Sequence, residues 1–247
     1  MIMQSKIYKM HIIMAVTVIS TVTVFLFPAI SQNDSYHHFA DTRTVNGIPN
    51  CYNVISNIAF FISGLIGLRQ STSQTFLKGN NIAFFTGVLL TSIGSSFYHL
   101  HPNNEALIWD RLPMTISFMS FLSIVIGQYI NEKTGKRILF HLLFIGILSV
   151  LYWYKTEMTG QGDLRFYALV QFLPIILIPL IVLLFKKPTN IYYLFGMLGA
   201  YIVAKLFEHF DYEVYKYTKT VSGHALKHIC AAIAPFFYFY YLNQNRK

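Results

Sequence analysis

Long uncharged runs separated by short polar segments dominate the pattern of this chain. After residue 50, seven apolar stretches follow one another, each near the roughly 20 residues needed to cross about 30 Å of hydrocarbon. They cover residues 53–69, 82–101, 106–130, 137–154, 165–185, 190–209 and 223–242. Backbone groups in lipid must be satisfied within the segment, and these runs lack the alternating polarity of barrel strands. We therefore predict an all-α fold, a polytopic membrane helix bundle with a seven-helix core.

An eighth uncharged run, residues 12–30, lies near the N-terminus behind a weakly basic start. A cleaved signal peptide has an apolar region of about 7–15 residues and a small-residue cleavage site, and this run is longer and lacks a clear site. We predict an uncleaved extra helix, with a cleaved signal as the alternative. The predicted organisation is thus an N-terminal transmembrane helix (1–30), an external polar segment (31–52) and a seven-helix membrane domain (53–247).

Composition supports a membrane protein and argues against a soluble domain and a nucleic-acid-binding protein. Of the 247 residues, 54% are hydrophobic and 12% are charged, and mean hydropathy is +0.47. Soluble domains carry about 25% charged residues. The net charge of +9 does not indicate nucleic acid, because most basic residues fall between spans, where they set topology and bind anionic lipid. No obligate protein partner is evident, and Cys51 and Cys230 do not form a disulfide framework.

The Lys and Arg positions test how the spans are oriented. With the N-terminus inside, eleven of the nineteen basic residues lie in inner segments and five in outer ones, while three lie in or beside spans. This excess fits eight spans with both termini cytoplasmic. The same topology places His99, Asp110 and His224 near the outer face at similar depth.

Two segments carry side chains suited to metal chemistry. Ser95 and His99 are four residues apart, as are His224 and His228, so each pair shares a helix face. Two imidazoles at this spacing can bind one metal ion, and a third ligand from another helix, here His99, gives the three-ligand pattern of catalytic zinc. Asp110 can act as general base and then general acid. Ser95 can donate to an oxyanion or orient a ligand.

Other polar groups near the spans are more often structural. We expect Lys205 and Glu208 to pair with each other, Arg111 to pair with a carboxylate or an outer phosphate group, and Lys227 to point away from the histidines and snorkel to the surface. Three further histidines are expected only to form interhelical or interfacial hydrogen bonds, namely His101, His141 and His209. The trio with Asp110 is different, because several ionisable groups at one depth in spans are costly and usually functional.

Three stretches together resemble the alkaline ceramidase family, part of the seven-span hydrolase superfamily that includes the progestin and adipoQ receptors. NVISNIAFFISG at 53–64 resembles the N-x-x-S-N opening of the first core helix of that family. GSSFYHLHPNNEALIWDRLPM at 94–114 resembles its S-x3-H followed by D-x-L-P-M. GHALKHICAAIA at 223–234 resembles the H-x3-H of its last helix. The likeness covers about residues 50–242, with the motifs in the same order.

The resemblance implies Zn²⁺ held by His99, His224 and His228, with Asp110 and Ser95 at the site. It also implies hydrolysis of the N-acyl amide of a ceramide-like membrane lipid to a long-chain base and a fatty acid. Animal members read D-E-L-P-M, where this chain has Arg111, and they bind Ca²⁺ through acidic groups ahead of the first core helix. Here that region offers Asp41, Arg43, Asn46 and Asn50, so we do not expect the calcium site to be kept, since Ca²⁺ takes six to eight oxygen ligands.

The sequence is compatible with three alternative functions. The first is a zinc-dependent lipid amidase of ceramidase type. The second is a membrane receptor or sensor in which zinc is structural and a lipid is bound but not cut. The third is a proton or metal transporter, which ranks last because the ionisable groups cluster at one depth and do not form a relay across the bilayer. Asp110 favours the first, because a passive zinc site has less need of an adjacent carboxylate.

Overall fold

The computed structural model describes residues 2–186 and 190–245 of the chain. Within these residues the regular structure is helical, and the sole strand-like pairing is one antiparallel bridge between Val45 and Ile48. The predicted all-α bundle is confirmed. In chain order the helices are α1 (Ile2–Leu26), α2 (Cys51–Ile55), α3 (Ile58–Thr72), α4 (Lys78–Leu100), α5 (Asn104–Tyr129), α6 (Glu132–Met158), α7 (Arg165–Phe185), α8 (Tyr192–His209), α9 (Asp211–Thr218) and α10 (Gly223–Gln244).

Seven segments in the described part of the chain are long and apolar enough to cross a membrane, as expected for a multi-pass membrane protein. They are α1, α2 with α3, α4, α5, α6, α7 and α10. The helix at the eighth predicted span, α8, is not among these seven segments. The predicted stretch 190–209 does form a helix of 18 residues, about 27 Å long. Its Lys205 and Glu208 lower its apolar character.

The extra N-terminal helix lies outside the bundle. No residue in the apolar window of α1 is buried, and α7 is the helix it packs against. α1 ends at Leu26 rather than at residue 30, because Pro28 disfavours helical backbone before it. The chain that follows is tied to the start of α7, where the Arg165 Nη1 donates to the carbonyl of Phe27 at 2.6 Å.

Among the described helices, α4 and α5 form the most extensive helix–helix contact. Their hairpin positions residues of the candidate site. Its turn is closed by Asn103, whose side chain accepts from the backbone N–H of Ala106 at 2.8 Å. Gly94 lets the two backbones meet, since a Cβ there would collide with the carbonyl of Trp109. This close approach brings Ser95 of α4 beside Asp110 of α5.

Candidate metal centre and cavity

Three buried histidines from two helices meet near one end of the bundle. His99 lies in the last turn of α4, and His224 and His228 lie in the first turns of α10. The start of α10 is fixed by Ser222, whose side chain accepts from the N–H of Ala225. It is also fixed by Asp211, which accepts from the N–H of His224 at 2.7 Å. The helix start therefore turns both histidines inward.

The three imidazoles are arranged as metal ligands would be. The Nε2 atom of His99 lies 3.2 Å from Nε2 of His228 and 3.3 Å from Nε2 of His224. Tetrahedral Zn–N bonds of about 2.0–2.1 Å place two ligand nitrogens about 3.3 Å apart. All three side chains are at most 6% exposed. The predicted convergence of His99 with the α10 pair is thus found, and the cluster can hold a metal ion.

A hydrogen bond to the His228 ring and bonds between the neighbouring backbones support the histidine cluster, while Nδ1 of His99 is buried without a partner among the described residues. The Ser56 hydroxyl lies 2.8 Å from Nδ1 of His228, and the Asn50 amide donates to the carbonyl of His99 at 2.8 Å. The Ser222 hydroxyl donates to the amide oxygen of Asn53 at 3.2 Å. Second partners of this kind direct the other ring nitrogen of a histidine towards a metal. We did not predict Ser56 or Asn50 as partners of the histidines. Ser56 lies in the N-x-x-S-N stretch at 53–57, and Asn50 was considered only for calcium.

The polar segment before α2 covers the histidines. The Phe39 ring, 5% exposed, has its centroid 4.7 Å from that of His99 and 4.6 Å from that of His224. The backbone N–H of Ala40 donates to Asp211 at 2.9 Å, which locks the segment to α9. The prediction of a plain external segment at 31–52 missed this role as a cap.

Asp41, an acidic residue in the region weighed for calcium, is already paired. Both of its carboxylate oxygens accept from the Arg43 guanidinium, at 2.8 and 2.7 Å. The same guanidinium donates to the carbonyl of Thr220 at 2.6 Å and so ties the cap to the loop before α10. Asp41 and Arg43 therefore act as a brace between the cap and the last helix.

A cavity of about 520 Å³ opens beside the histidines. Ser95, Asp110 and His228 line it together, and the Ser95 side chain hydrogen-bonds the Asp110 carboxyl. Ser95 is 2% exposed and Asp110 is 7% exposed. The two predicted catalytic residues, Ser95 and Asp110, thus line the same cavity as His228 of the histidine cluster.

Charged residues concentrate at this end of the cavity. Glu208 accepts from Lys227 at 2.9 Å and also pairs with Lys205, which confirms the predicted Lys205–Glu208 pair. The prediction that Lys227 snorkels away is wrong, because its Nζ lies 3.4 Å from Nε2 of His224. Residues three apart on a helix are neighbours, and Glu208 supplies the countercharge that keeps this lysine inside.

The rest of the cavity is apolar and extends between helices α7 and α8. Leu183 of α7 and Leu194 and Phe195 of α8 line its far part, with Pro174 and Pro179 along α7. Over their described residues, α7 and α8 do not pack along their length, although α8 packs closely on α10. Lipid-facing side chains therefore flank a gap that leads to the polar end.

Comparison with known proteins adds no family to these observations. A scan against protein-family models finds no matching family, and a search of the curated proteins finds no match. The features of the chain that point to a function are the histidine cluster, the cavity and the three sequence stretches.

Proposed function

We propose that the chain is an integral-membrane, zinc-dependent amidase that hydrolyses the N-acyl amide bond of a ceramide-like lipid to a long-chain base and a fatty acid. One observation carries the proposal. The buried cluster of His99, His224 and His228 adjoins an apolar cavity that also contains Asp110 and Ser95. Metal ligands, a carboxylate and a lipid-sized space are the parts that such hydrolysis requires.

The donor set suits zinc. The Nε2 atom of His99 is separated from that of each α10 imidazole by the spacing of tetrahedral Zn²⁺ ligands. Three protein ligands would leave a fourth position for water, as in catalytic zinc sites. When bound, zinc would polarise the amide carbonyl and lower the pKa of a coordinated water to about 7. Ser56 holds Nδ1 of His228, so the ring presents Nε2 to the ion.

Asp110 and Ser95 supply the proton chemistry. The Asp110 carboxylate accepts a proton from the attacking water and returns it to the amide nitrogen as the C–N bond breaks, so that a neutral amine leaves. The Ser95 hydroxyl holds this carboxyl before substrate arrives. It can then donate to the oxygen of the carbonyl under attack. Burial keeps bulk water from competing for either group.

The lipid substrate fits the shape of the cavity. Its acyl chain would lie along the apolar part between α7 and α8, and its amide would lie at the polar end beside Asp110. Because these helices do not pack along their described length, a lipid can enter sideways from the bilayer. Phe39 and the cap cover the histidines, which favours the lateral route over one through water.

The distribution of basic residues supports an orientation. We place both termini in the cytoplasm and the site towards the outer face, with α8 as the eighth crossing. α8 is about 27 Å long, and its Lys205 and Glu208 form an ion pair beside the cavity. Its low hydropathy therefore does not prevent it from crossing as part of the bundle.

Lipid mass spectrometry of the purified protein tests the proposal. With ceramide and Zn²⁺, we expect equimolar fatty acid and long-chain base. Asp110→Asn should retain metal and lose about 10²–10⁴-fold in rate, the usual contribution of a general acid–base residue. Saturable ceramide binding without product would instead support a lipid receptor with structural zinc.

A further inference from the structure

Arg111 is a buried guanidinium with an unused donor. It follows Asp110 in α5 and is 5% exposed. Its Nη2 donates to the Gln32 side chain at 2.5 Å, while its Nη1 is buried without a hydrogen-bond partner. A guanidinium carries five N–H donors and no acceptor. This side chain is therefore prepared to bind an acceptor that the protein itself does not provide.

Aromatic rings hold the Arg111 cation without neutralising it. The guanidinium carbon lies 4.1 Å from the Trp153 ring centroid and 4.6 Å from that of Tyr167. Cation–π contacts stabilise a charge but do not cancel it. Among the described residues no carboxylate forms an ion pair with Arg111. The Glu157 carboxylate is taken by the backbone N–H of Gln32 and the indole N–H of Trp153.

The Arg111 side chain lines the polar end of the cavity. Arg111, Tyr36 and Tyr167 line the same space as Asp110. Three cations line it, Arg111 and the two lysines bound to Glu208, against two carboxylates, so positive charge is in excess. A buried charge without a partner is costly, and a bound anion removes that cost.

We propose that Arg111 binds an acidic headgroup, and that the preferred substrate is a ceramide-like N-acyl lipid with a carboxylate or phosphate group close to its amide, bound more tightly than the neutral lipid. This inference rests on the proposed amidase function and narrows its substrate. The adjacent residue Asp110 acts on the amide, while Arg111 holds an anion a few bonds beyond the nitrogen. An uncharged hydroxyl headgroup can accept a hydrogen bond from Arg111 but cannot balance its charge.

Binding of three matched probes tests the subsite. N-oleoylethanolamine is neutral, its O-phosphate carries a phosphate, and N-oleoylglycine carries a carboxylate. The full-length protein with Trp109→Phe, in nanodiscs of phosphatidylcholine, leaves Trp153 as the single tryptophan of the chain, beside Arg111. Its fluorescence reports binding, and mass spectrometry at the end of each titration reports breakdown.

We expect one or both anionic probes to bind roughly tenfold to hundredfold tighter than the neutral one, the range of one charge-assisted hydrogen bond. Arg111→Gln should abolish this preference and leave the affinity of the neutral probe within about threefold. Arg69→Gln removes the same charge from an exposed position on α3 and should change nothing. Arg111→Lys keeps the charge and should retain part of the preference if the glutamine variant misfolds.

The experiment distinguishes failure of the anion subsite from failure of the proposed amidase function. Equal affinity for all three probes, or an unchanged preference in Arg111→Gln, overturns the anion subsite even if amides are hydrolysed. If the preference for an anionic probe depends on Arg111 but no probe is hydrolysed, the anion subsite is supported and the proposed amidase function is contradicted. The stronger of the two anionic probes identifies the headgroup as carboxylate or phosphate.

Discussion

Ser56 and His228, separated by 172 positions in sequence, are joined by a 2.8 Å contact between the serine hydroxyl and Nδ1 of the imidazole. With Nδ1 occupied, Nε2 is the nitrogen that faces His99. The ring orientation in α10 is thus set by the turn between α2 and α3.

Ser56→Ala should weaken metal binding, because His228 loses the partner that fixes its ring. Loss of such a contact typically costs 10–100-fold in metal affinity. Competition with a zinc chelator measures it. Ser71→Ala is the matched control, since Ser71 is fully buried but bonds only a carbonyl of its own helix. Equal zinc affinities for the two variants would show that the contact to Ser56 is dispensable.

His224→Ala and His228→Ala should each release metal from the purified protein. Either change leaves two imidazoles, fewer than the three protein ligands of catalytic zinc sites. Elemental analysis should give about one zinc per chain for the wild type and far less for each variant. His141→Ala is a suitable control, because His141 bonds only the carbonyl of Arg137 on its own helix. Full zinc occupancy in both cluster variants would show that the ligand set is wrong.

Gly94→Ala should destabilise the bundle. The added Cβ would collide with backbone atoms of Trp109, which cannot move without separating α4 from α5. Overpacking of this kind costs about 1–3 kcal/mol. Gly79→Ala, in the same helix but facing open space, should be neutral or slightly stabilising. Thermal unfolding in detergent compares the two, and equal midpoints would contradict the close α4–α5 contact.

Asp163→Asn should destabilise the protein at neutral pH but not at low pH. The Arg165 guanidinium, at 2.7 Å, is the main reason that the pKa of Asp163 falls from its ordinary 3.8 to about 2. A lowered carboxylate pKa gives stability that is present above pH 3.8 and is lost as the pH falls through about 2. The loss for Asp163→Asn at pH 7 is about 2 kcal/mol.

Unfolding midpoints of Asp163→Asn and wild type, measured from pH 7 to pH 2, check this prediction. The gap between them should narrow below about pH 4, where the wild-type carboxylate begins to lose its advantage. Asp34→Asn changes an exposed carboxylate in the same way and should produce no such gap. A gap for Asp163→Asn that is constant over the whole range would show that charge is not its source.

Local patterns in the sequence were enough for the helices and the histidine cluster. Apolar length places the spans, and a spacing of four residues puts His224 and His228 on one face whatever the rest of the chain does. α6 extends beyond its predicted stretch of 137–154, because Glu132 and Lys155 continue the helix past the apolar run. The predicted stretch 190–209 does form α8, although polar residues such as Lys205 and Glu208 keep it out of the segments that hydropathy alone identifies.

Contacts between segments far apart in the chain could not be predicted, because they produce no local pattern in the sequence. Phe39 over the histidines and Asp211 at the start of α10 depend on how loops fold back. The error on Lys227 has the same origin, since its partner Glu208 belongs to another helix. The surroundings of Arg111 could not be predicted for the same reason. Asp110 is its neighbour in sequence, but the Trp153 and Tyr167 rings that pack on it come from other helices.

Because two of the three imidazoles belong to α10, the last helix of the described chain, the histidine cluster can be completed only after α10 has been made. A chain released before α10 is inserted carries His99 alone, together with a cap whose ties to Asp211 and Thr220 have not yet formed. Truncated or stalled products that lack α10 therefore lack the three-histidine cluster. Any chemistry that needs a metal ion at this cluster is withheld until α10 has joined the other helices.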